Sequence, residues 1–384
     1  MKKVAEKKIA IVTIADLGSL RNLKTDQTMA ILSALNRFNL KIDVFCRDYR
    51  DFKHPNIKRI LPFGRLIPRG FVLLKKIIPY FPGDTLYQAM MDDVMSRTIQ
   101  RHGPYKYALF IDLRFFRTIK EAHLGGATTI SYEGINHPAF LNCIDRELGQ
   151  NQYANLAKRS YEAIKFSDYI LSLSEFVKDT YIKEGFTPKN VFAIPTGADT
   201  EKFFPSNGTS SKFRVISVAN YSYRKGIQYL LKAWREMNLD NSELLIIGNP
   251  VGEMKKLVEE YCKHQNNIIR IPFTKNIVEH YQRASIFVLP SLIEGSAKVT
   301  YEAMACGLPV ICTAETGSVV QDGYDGYIIP RHNVDKIKEK ILLFYNNPET
   351  ITKMGARARK KVVQSYQWKH FSDRVHGALK EILY

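Results

Sequence analysis

IFVLPSLIEGSAKVTYEAMACGLPVICT, residues 286–313, holds the pattern that decides the fold. A short apolar run (286–291) breaks at a turn containing Glu294 and Gly295, an amphipathic stretch follows, and Gly307 introduces a second β-branched run (308–313). Strand, helix and strand in that order form the unit from which parallel sheets are built. The alternation recurs through IAIVTI (9–14), KIDVFC (41–46), YALFID (107–112), TTISYE (128–133) and YILSLS (169–174). After Pro195 it restarts with FRVISVAN (213–220), ELLIIGN (243–249) and IIRIPF (268–273), and it closes with GYIIP (326–330). Two doubly wound α/β units in tandem are expected. Gly, Pro, Asn and Ser accumulate in TGADTEKFFPSNGTSSKF (196–213), which marks the boundary; an internal loop of one large sheet is the alternative. WKHFSDRVHGALKEIL (368–383) spaces Phe371, Val375, Ala378, Leu379 and Ile382 as one face of a helix.

A chain of 384 residues has room for two cores, and 45% hydrophobic with 24% charged residues argues against wholesale disorder. No apolar run reaches the ~18 residues of a membrane span. The formal charge of +18 favours an anionic partner: nucleic acid, anionic lipid or a sugar nucleotide. Zinc-finger and aromatic RNA-binding motifs are absent from the sequence, so no nucleic-acid partner is expected. Five scattered cysteines without a CxxC pair indicate neither a disulfide framework nor a zinc site and suit a reducing, cytoplasmic setting. The opening apolar run imitates a signal peptide but ends at Asp16 without a small-residue cleavage site, and reads as a first buried strand.

From Phe52 to Gly83 there is no acid, whereas Lys53, Lys58, Arg59, Arg65, Arg69, Lys75 and Lys76 stand among large apolar side chains. That composition fits an interfacial contact with an anionic membrane, or equally a buried helix with a solvated lysine face.

Ligands of open α/β sheets bind beyond the carboxyl ends of the strands, where helix N-termini meet anions. Three turns qualify. ADLGSLRN (15–22), with Gly18, follows the first strand but lacks GxGxxG. ANYSYRKG (219–226) puts Arg224 and Lys225 at a strand mouth before a helix, either as a cationic pair for a phosphate or as a solvated basic turn. The third is the opening segment: Gly295 and Ser296 can offer amides, and Glu294 and Glu302 are eight residues apart. Carboxylates suit vicinal hydroxyls better than phosphate, although such a pair also occurs on ordinary helix surfaces.

Together these segments resemble the retaining glycosyltransferases of family 4, also called group 1, whose Glu-x7-Glu region IEGSAKVTYEAMACGLPVI is similar to. The resemblance runs from SDYILSLSEFVKDTYIKEGF (167–186) through VFAIPTGADTEKFFP and ANYSYRKGIQYLLKAW to ETGSVVQDGYDGYIIP (315–330). It implies GT-B architecture, two Rossmann-like doubly wound domains facing a central cleft. The expected divisions are an acceptor-side domain at 1–198, a nucleotide-sugar domain at 199–366, and a helix at 367–384 crossing back to the first. It further implies that Lys225 binds the donor diphosphate, that the turn of Gly295, Ser296 and Ala297 meets the distal phosphate, and that Glu302 holds the ribose. Glu294 would face the transferred sugar, with His137, in NHP, near it as a hydrogen-bonding group; a structural histidine is the alternative. Gly18 belongs to the same donor set. Asn220 stands where many members carry an arginine, and Arg224 is the substitute cation.

The expected activity is retaining transfer of a hexose-type sugar from a nucleoside-diphosphate sugar to a glycan or lipid-linked glycan, in cell-surface polysaccharide or lipopolysaccharide synthesis. Neither a cofactor nor a metal is expected, because cations and helix amides can hold the leaving diphosphate. The setting would be the cytoplasm or the inner face of the plasma membrane. Competing readings are a GT-B sugar-nucleotide 2-epimerase and a non-catalytic glycan- or nucleotide-binding protein.

Overall fold

The structure, a computed structural model, describes residues 8–13, 16–17, 23–46, 48–49, 57–59, 83–111, 115–133, 136–147, 160–206 and 212–384. All the apolar runs quoted above form strands, and they sort into two compact units. One contains the chain up to Ser172 together with Lys178–Ile194 and Ser372–Tyr384; the other contains Leu173–Val177 and Pro195–Phe371.

The first unit is built on β1 (Lys8–Thr13), β3 (Lys41–Cys46), β5 (Ile57–Arg59), β6 (Tyr107–Ile111), β7 (Thr128–Glu133), β8 (Tyr169–Ser172) and β9 (Val191–Ala193), with β2 (Asp16–Leu17) and β4 (Asp48–Tyr49) paired separately. Its main sheet is parallel in the order β5-β3-β1-β6-β7-β8-β9. Ile9, Ala10, Ile11 and Val12 are all fully buried, so both faces of β1 are covered, as a central parallel strand requires. Helix Trp368–Leu383 ends in this unit. Asp373 meets Arg37 at 2.8 Å, the His376 ring stacks on Phe38 at 4.4 Å, and the Tyr107 hydroxyl donates to the Leu383 carbonyl at 3.2 Å.

The second unit is a six-stranded parallel sheet of β10 (Phe213–Val218), β11 (Ser242–Ile247), β12 (Ile268–Ile271), β13 (Ile286–Leu289), β14 (Val310–Thr313) and β15 (Gly326–Ile329). Its order is β12-β11-β10-β13-β14-β15. One face packs on Trp234, Leu230 and Phe344, and the other on Tyr281, Tyr301 and Met304. Strand β14 begins two residues later than the apolar run, because Pro309 has no N–H for the ladder and serves only as acceptor to the Phe287 amide, at 3.0 Å. The order reverses between β10 and β13, so the helices that follow these two strands leave on opposite faces. A crevice opens at their carboxyl ends. The corresponding reversal in the first unit lies between β1 and β6.

Gly18 lies outside the described residues, as does 52–83 apart from Ile57–Arg59 and Gly83. Among the described residues, no helix is long and apolar enough to cross a membrane.

The loop that leads into β15 is held from beneath. Asp325 is fully buried, takes the Gln321 amide on Oδ1 at 2.8 Å, and pairs with Lys361 on helix Pro348–Ser365. Lys361 also donates to the Val319 carbonyl at 3.1 Å. Lys361→Met keeps the aliphatic stem but strands a buried carboxylate, and should lower stability by about 3 kcal/mol in denaturant titration. An unchanged midpoint would show that the pair contributes nothing.

Candidate functional site

The crevice between β10 and β13 is lined by two turns in mutual contact. After β10 the chain makes one 3-10 turn, Tyr223–Lys225, and ends it at Gly226, whose φ of +70° is left-handed. A Cβ there would stand 1.9 Å from the Pro290 carbonyl oxygen, so only glycine lets this turn touch the one after β13. The Leu292 amide then donates to the Arg224 carbonyl at 2.7 Å.

Three of the residues marked in the sequence converge at that contact. The Arg224 guanidinium donates from Nη1 to Glu294 Oε1 at 2.6 Å and to the Ile293 carbonyl at 3.0 Å. Lys225 Nζ closes on the same Glu294 oxygen. The side chains of Lys225 and Glu294 are only 14% and 12% exposed, and burial pulls the Lys225 pKa down, against the attraction of Glu294. Two cations thus share one carboxylate oxygen at the mouth of the sheet.

Beyond Glu294 the main chain is pinned from both sides. The Glu294 amide donates to the Glu315 carbonyl at 2.9 Å and the Ala297 amide to Thr316 at 3.1 Å. Ser174, in the segment Leu173–Val177 of this unit, donates its hydroxyl to the Gly295 carbonyl at 2.7 Å. Ser296 is 9% exposed and ties its hydroxyl to that of Tyr301 at 2.8 Å, so its amide is the group it can offer a ligand. Helix Lys298–Ala305 starts directly afterwards, with Ala297 as its extended N-cap residue. Its partial positive end and the two cations of the other turn border the same crevice.

Glu302 is on that helix, 12% exposed, apart from the Arg224–Lys225–Glu294 cluster. Burial raises its pKa, while Lys298 Nζ at 3.6 Å, Lys202 and the Tyr281 hydroxyl at 3.4 Å favour its ionised form. A carboxylate so placed can accept from vicinal hydroxyls. Asn220 is exposed just beyond β10, and its carbonyl accepts from the Ser222 amide at 3.0 Å.

Residues 199–361 match the family described as glycosyl transferases group 1. The second unit carries a group 1 glycosyl transferase domain. A glycosyltransferase of Haemophilus influenzae is 29% identical over 52% of this chain and 58% of its own length. A capsular polysaccharide biosynthesis glycosyltransferase of Staphylococcus aureus is 26% identical over 55% of this chain and 62% of its own. The chain thus spans less than two thirds of the length of these relatives. Among solved structures, sucrose-phosphate synthase from Thermosynechococcus elongatus superposes with a TM-score of 0.74 at 18% identity, covering 98% of this chain and 99% of that one. HepE from Anabaena in complex with UDP-glucose gives 0.68 at 14%, covering 97% and 99%. These likenesses establish the fold, two Rossmann-like units of GT-B type.

Sequence reading passed over three residues of the group 1 domain's site. Lys298 could have been found from its i, i+4 spacing to Glu302. Tyr281 and Ser174 carried no local signal, since their partners are 21 and 121 residues away.

His137 sits in the other unit, just before helix Pro138–Glu147, and is 1% exposed. Tyr181 and Phe186 pack edge-on to its ring at 5.2 and 6.2 Å, its amide donates to Thr180 Oγ1 at 3.0 Å, and its Nδ1 accepts from the Ala139 amide at 3.2 Å. That assignment puts the proton on Nε2. Burial lowers its pKa, only partly opposed by Glu184. The unfolded chain therefore binds the proton more readily, and the stability tied to a neutral His137 is present above pH 6.5 and lost as pH falls through the lower folded value. In His137→Gln, the fall in melting temperature between pH 7 and pH 5 should be smaller than in the wild type. Superimposable profiles would remove the ring from this account.

Proposed function

We propose that the protein is a retaining glycosyltransferase that moves a hexose-type sugar from a nucleoside-diphosphate sugar to a glycan or lipid-linked glycan acceptor in cell-surface polysaccharide synthesis. The observation that carries this reading is the convergence of Arg224 and Lys225 with the Gly295–Ser296 turn, which leads directly into the helix that carries Glu302; Ala297, whose amide is taken by the Thr316 carbonyl, drops out of the phosphate set. Cations and amides suit a diphosphate, and Glu302 suits the ribose hydroxyls. As the glycosidic bond to the donor breaks, negative charge gathers on the diphosphate, where Lys225, Arg224 and the helix end lower the barrier. Glu294 faces the sugar. No metal has a part in this reading, since Lys225, Arg224 and the helix amides hold the leaving diphosphate.

Relatives by name support the pathway class: the Staphylococcus aureus protein acts in capsular polysaccharide biosynthesis, and one of Mycolicibacterium smegmatis is a GDP-mannose-dependent mannosyltransferase. Thermal-shift screening against UDP, GDP, ADP and TDP should single out one base. Lys225→Ala and Glu302→Ala should each weaken that nucleotide by at least tenfold, through loss of a charge-assisted contact of ~1.5 to 3 kcal/mol. Turnover by the wild type should persist in excess EDTA. Unchanged affinity in both variants would defeat the donor-site reading, and a Mg²⁺-reversible loss in EDTA would defeat the metal-free mechanism.

The same reading places the protein in the cytoplasm and takes the acid-free stretch 52–83 as its contact with the anionic inner leaflet, with each engaged cation contributing up to ~1 kcal/mol before screening. Wild-type protein should co-sediment with phosphatidylserine vesicles at low salt, and Arg69→Glu/Lys75→Glu/Lys76→Glu should not. A wild type that ignores such vesicles would leave 52–83 a structural segment.

A further inference from the structure

We infer that Glu294 makes this site discriminate an intact sugar nucleotide from the spent nucleoside diphosphate; the inference rests on the donor-site reading above. Its basis is the pairing of the two diphosphate-binding cations. Arg224 and Lys225 converge on a single oxygen, Glu294 Oε1, and the three side chains are 30%, 14% and 12% exposed. A phosphate entering the crevice must take those cations from Glu294 or share them with it. The carboxylate acts both as stand-in for the absent anion and as its competitor.

What replaces the lost pairing depends on the ligand. A sugar on the distal phosphate brings hydroxyl donors, and an ionised carboxylate accepts them strongly. That phosphorus carries one ester bond to the sugar, one anhydride bond and one negative charge. Once the sugar has left with its C–O bond broken, the same phosphorus is a terminal anhydride phosphate with a second ionisation near pH ~6, so at neutral pH it gains almost one full charge and loses the donors. Glu294 then faces an anion with nothing to accept. The two contacts are worth more in this partly water-excluded turn than they would be in open solvent. Glu294 thus favours donor over product and speeds product release.

The arrangement makes the sign of a mutation unusual. Removing the charge of a residue in the binding cluster should strengthen binding of the product. The geometry around it is fixed independently, since the Glu294 amide is held by Glu315 and the turn by Gly226, so Glu294→Gln leaves both cations in place.

Isothermal titration of the wild type, Glu294→Gln and Glu294→Ala with UDP, GDP and ADP, with the corresponding monophosphates and with inorganic pyrophosphate, tests this. The selected diphosphate and pyrophosphate should each bind about tenfold tighter in both variants, a gain of ~1.4 kcal/mol, while the monophosphate changes by less than about twofold. Two chemically different replacements guard against a fold defect, which circular dichroism would reveal. Equal or weaker diphosphate binding in both variants overturns the inference and makes Glu294 an organiser of the cations; the donor-site reading then still stands if the wild type binds one nucleotide. Should the wild type bind no nucleotide while pyrophosphate tightens in the variants, the competition is upheld and the sugar-nucleotide reading falls.

Discussion

The contact between Gly226 and Pro290 is the constraint on which the group 1 domain's site depends. β10 and β13 are neighbours in the sheet but far apart in the chain, and the turns at their carboxyl ends would ordinarily be held apart by side chains. A left-handed glycine packed against a carbonyl brings them together, and the Leu292–Arg224 hydrogen bond fixes their register. Everything charged in the crevice follows from that approach. Arg224 and Lys225 come from one turn and Glu294 from the other, 70 positions from Arg224. Topology makes the two turns neighbours, and the glycine lets them touch.

The surrounding loops maintain this spacing by hydrogen bonds rather than by bulk. Thr313 and Thr316 share a 2.9 Å hydroxyl contact, Thr316 donates to the Leu289 carbonyl at 3.2 Å, and Ser318 donates to Thr300 at 2.9 Å, so residues 313–318 are stitched to the strand and helix that flank Glu294. Lys361 and Asp325 secure the continuation of that segment from the far side. Small hydroxylated side chains suit this task because each supplies a donor and acceptors in the volume of a core residue. The hydroxyls of this irregular segment thereby meet carbonyl and hydroxyl acceptors.

How much of this was legible in the sequence follows from range. Strands and the terminal helix were legible because burial imposes a local period, and helix Trp368–Leu383 appears over the residues its apolar spacing marked. Strand ends were less so: Pro309 shortens β14, and the brief β5 and β9 have too few residues for a period to show. Lys225, Glu294 and Glu302 were marked by turn position and by family likeness. Their mutual arrangement was not, because whether Arg224 meets Glu294 or solvent depends on the order β10-β13, which no local pattern encodes. Ser174 is the sharpest case. SLSEF reads as the tail of a strand, yet it leaves the first unit after Ser172 and bonds across 121 positions to the Gly295 carbonyl.

Electrostatics gives the site a direction as well as a position. The Arg224–Lys225–Glu294 trio carries one excess positive charge, and the N-terminus of helix Lys298–Ala305 adds a partial one. That surplus favours an anion at this turn. Glu302 differs in kind. Burial raises its pKa, Lys298 and Tyr281 favour its ionised form, and it lies outside the trio. Two glutamates eight residues apart are therefore given different environments: one paired through a single oxygen with two cations, the other buried beside one lysine and a tyrosine hydroxyl.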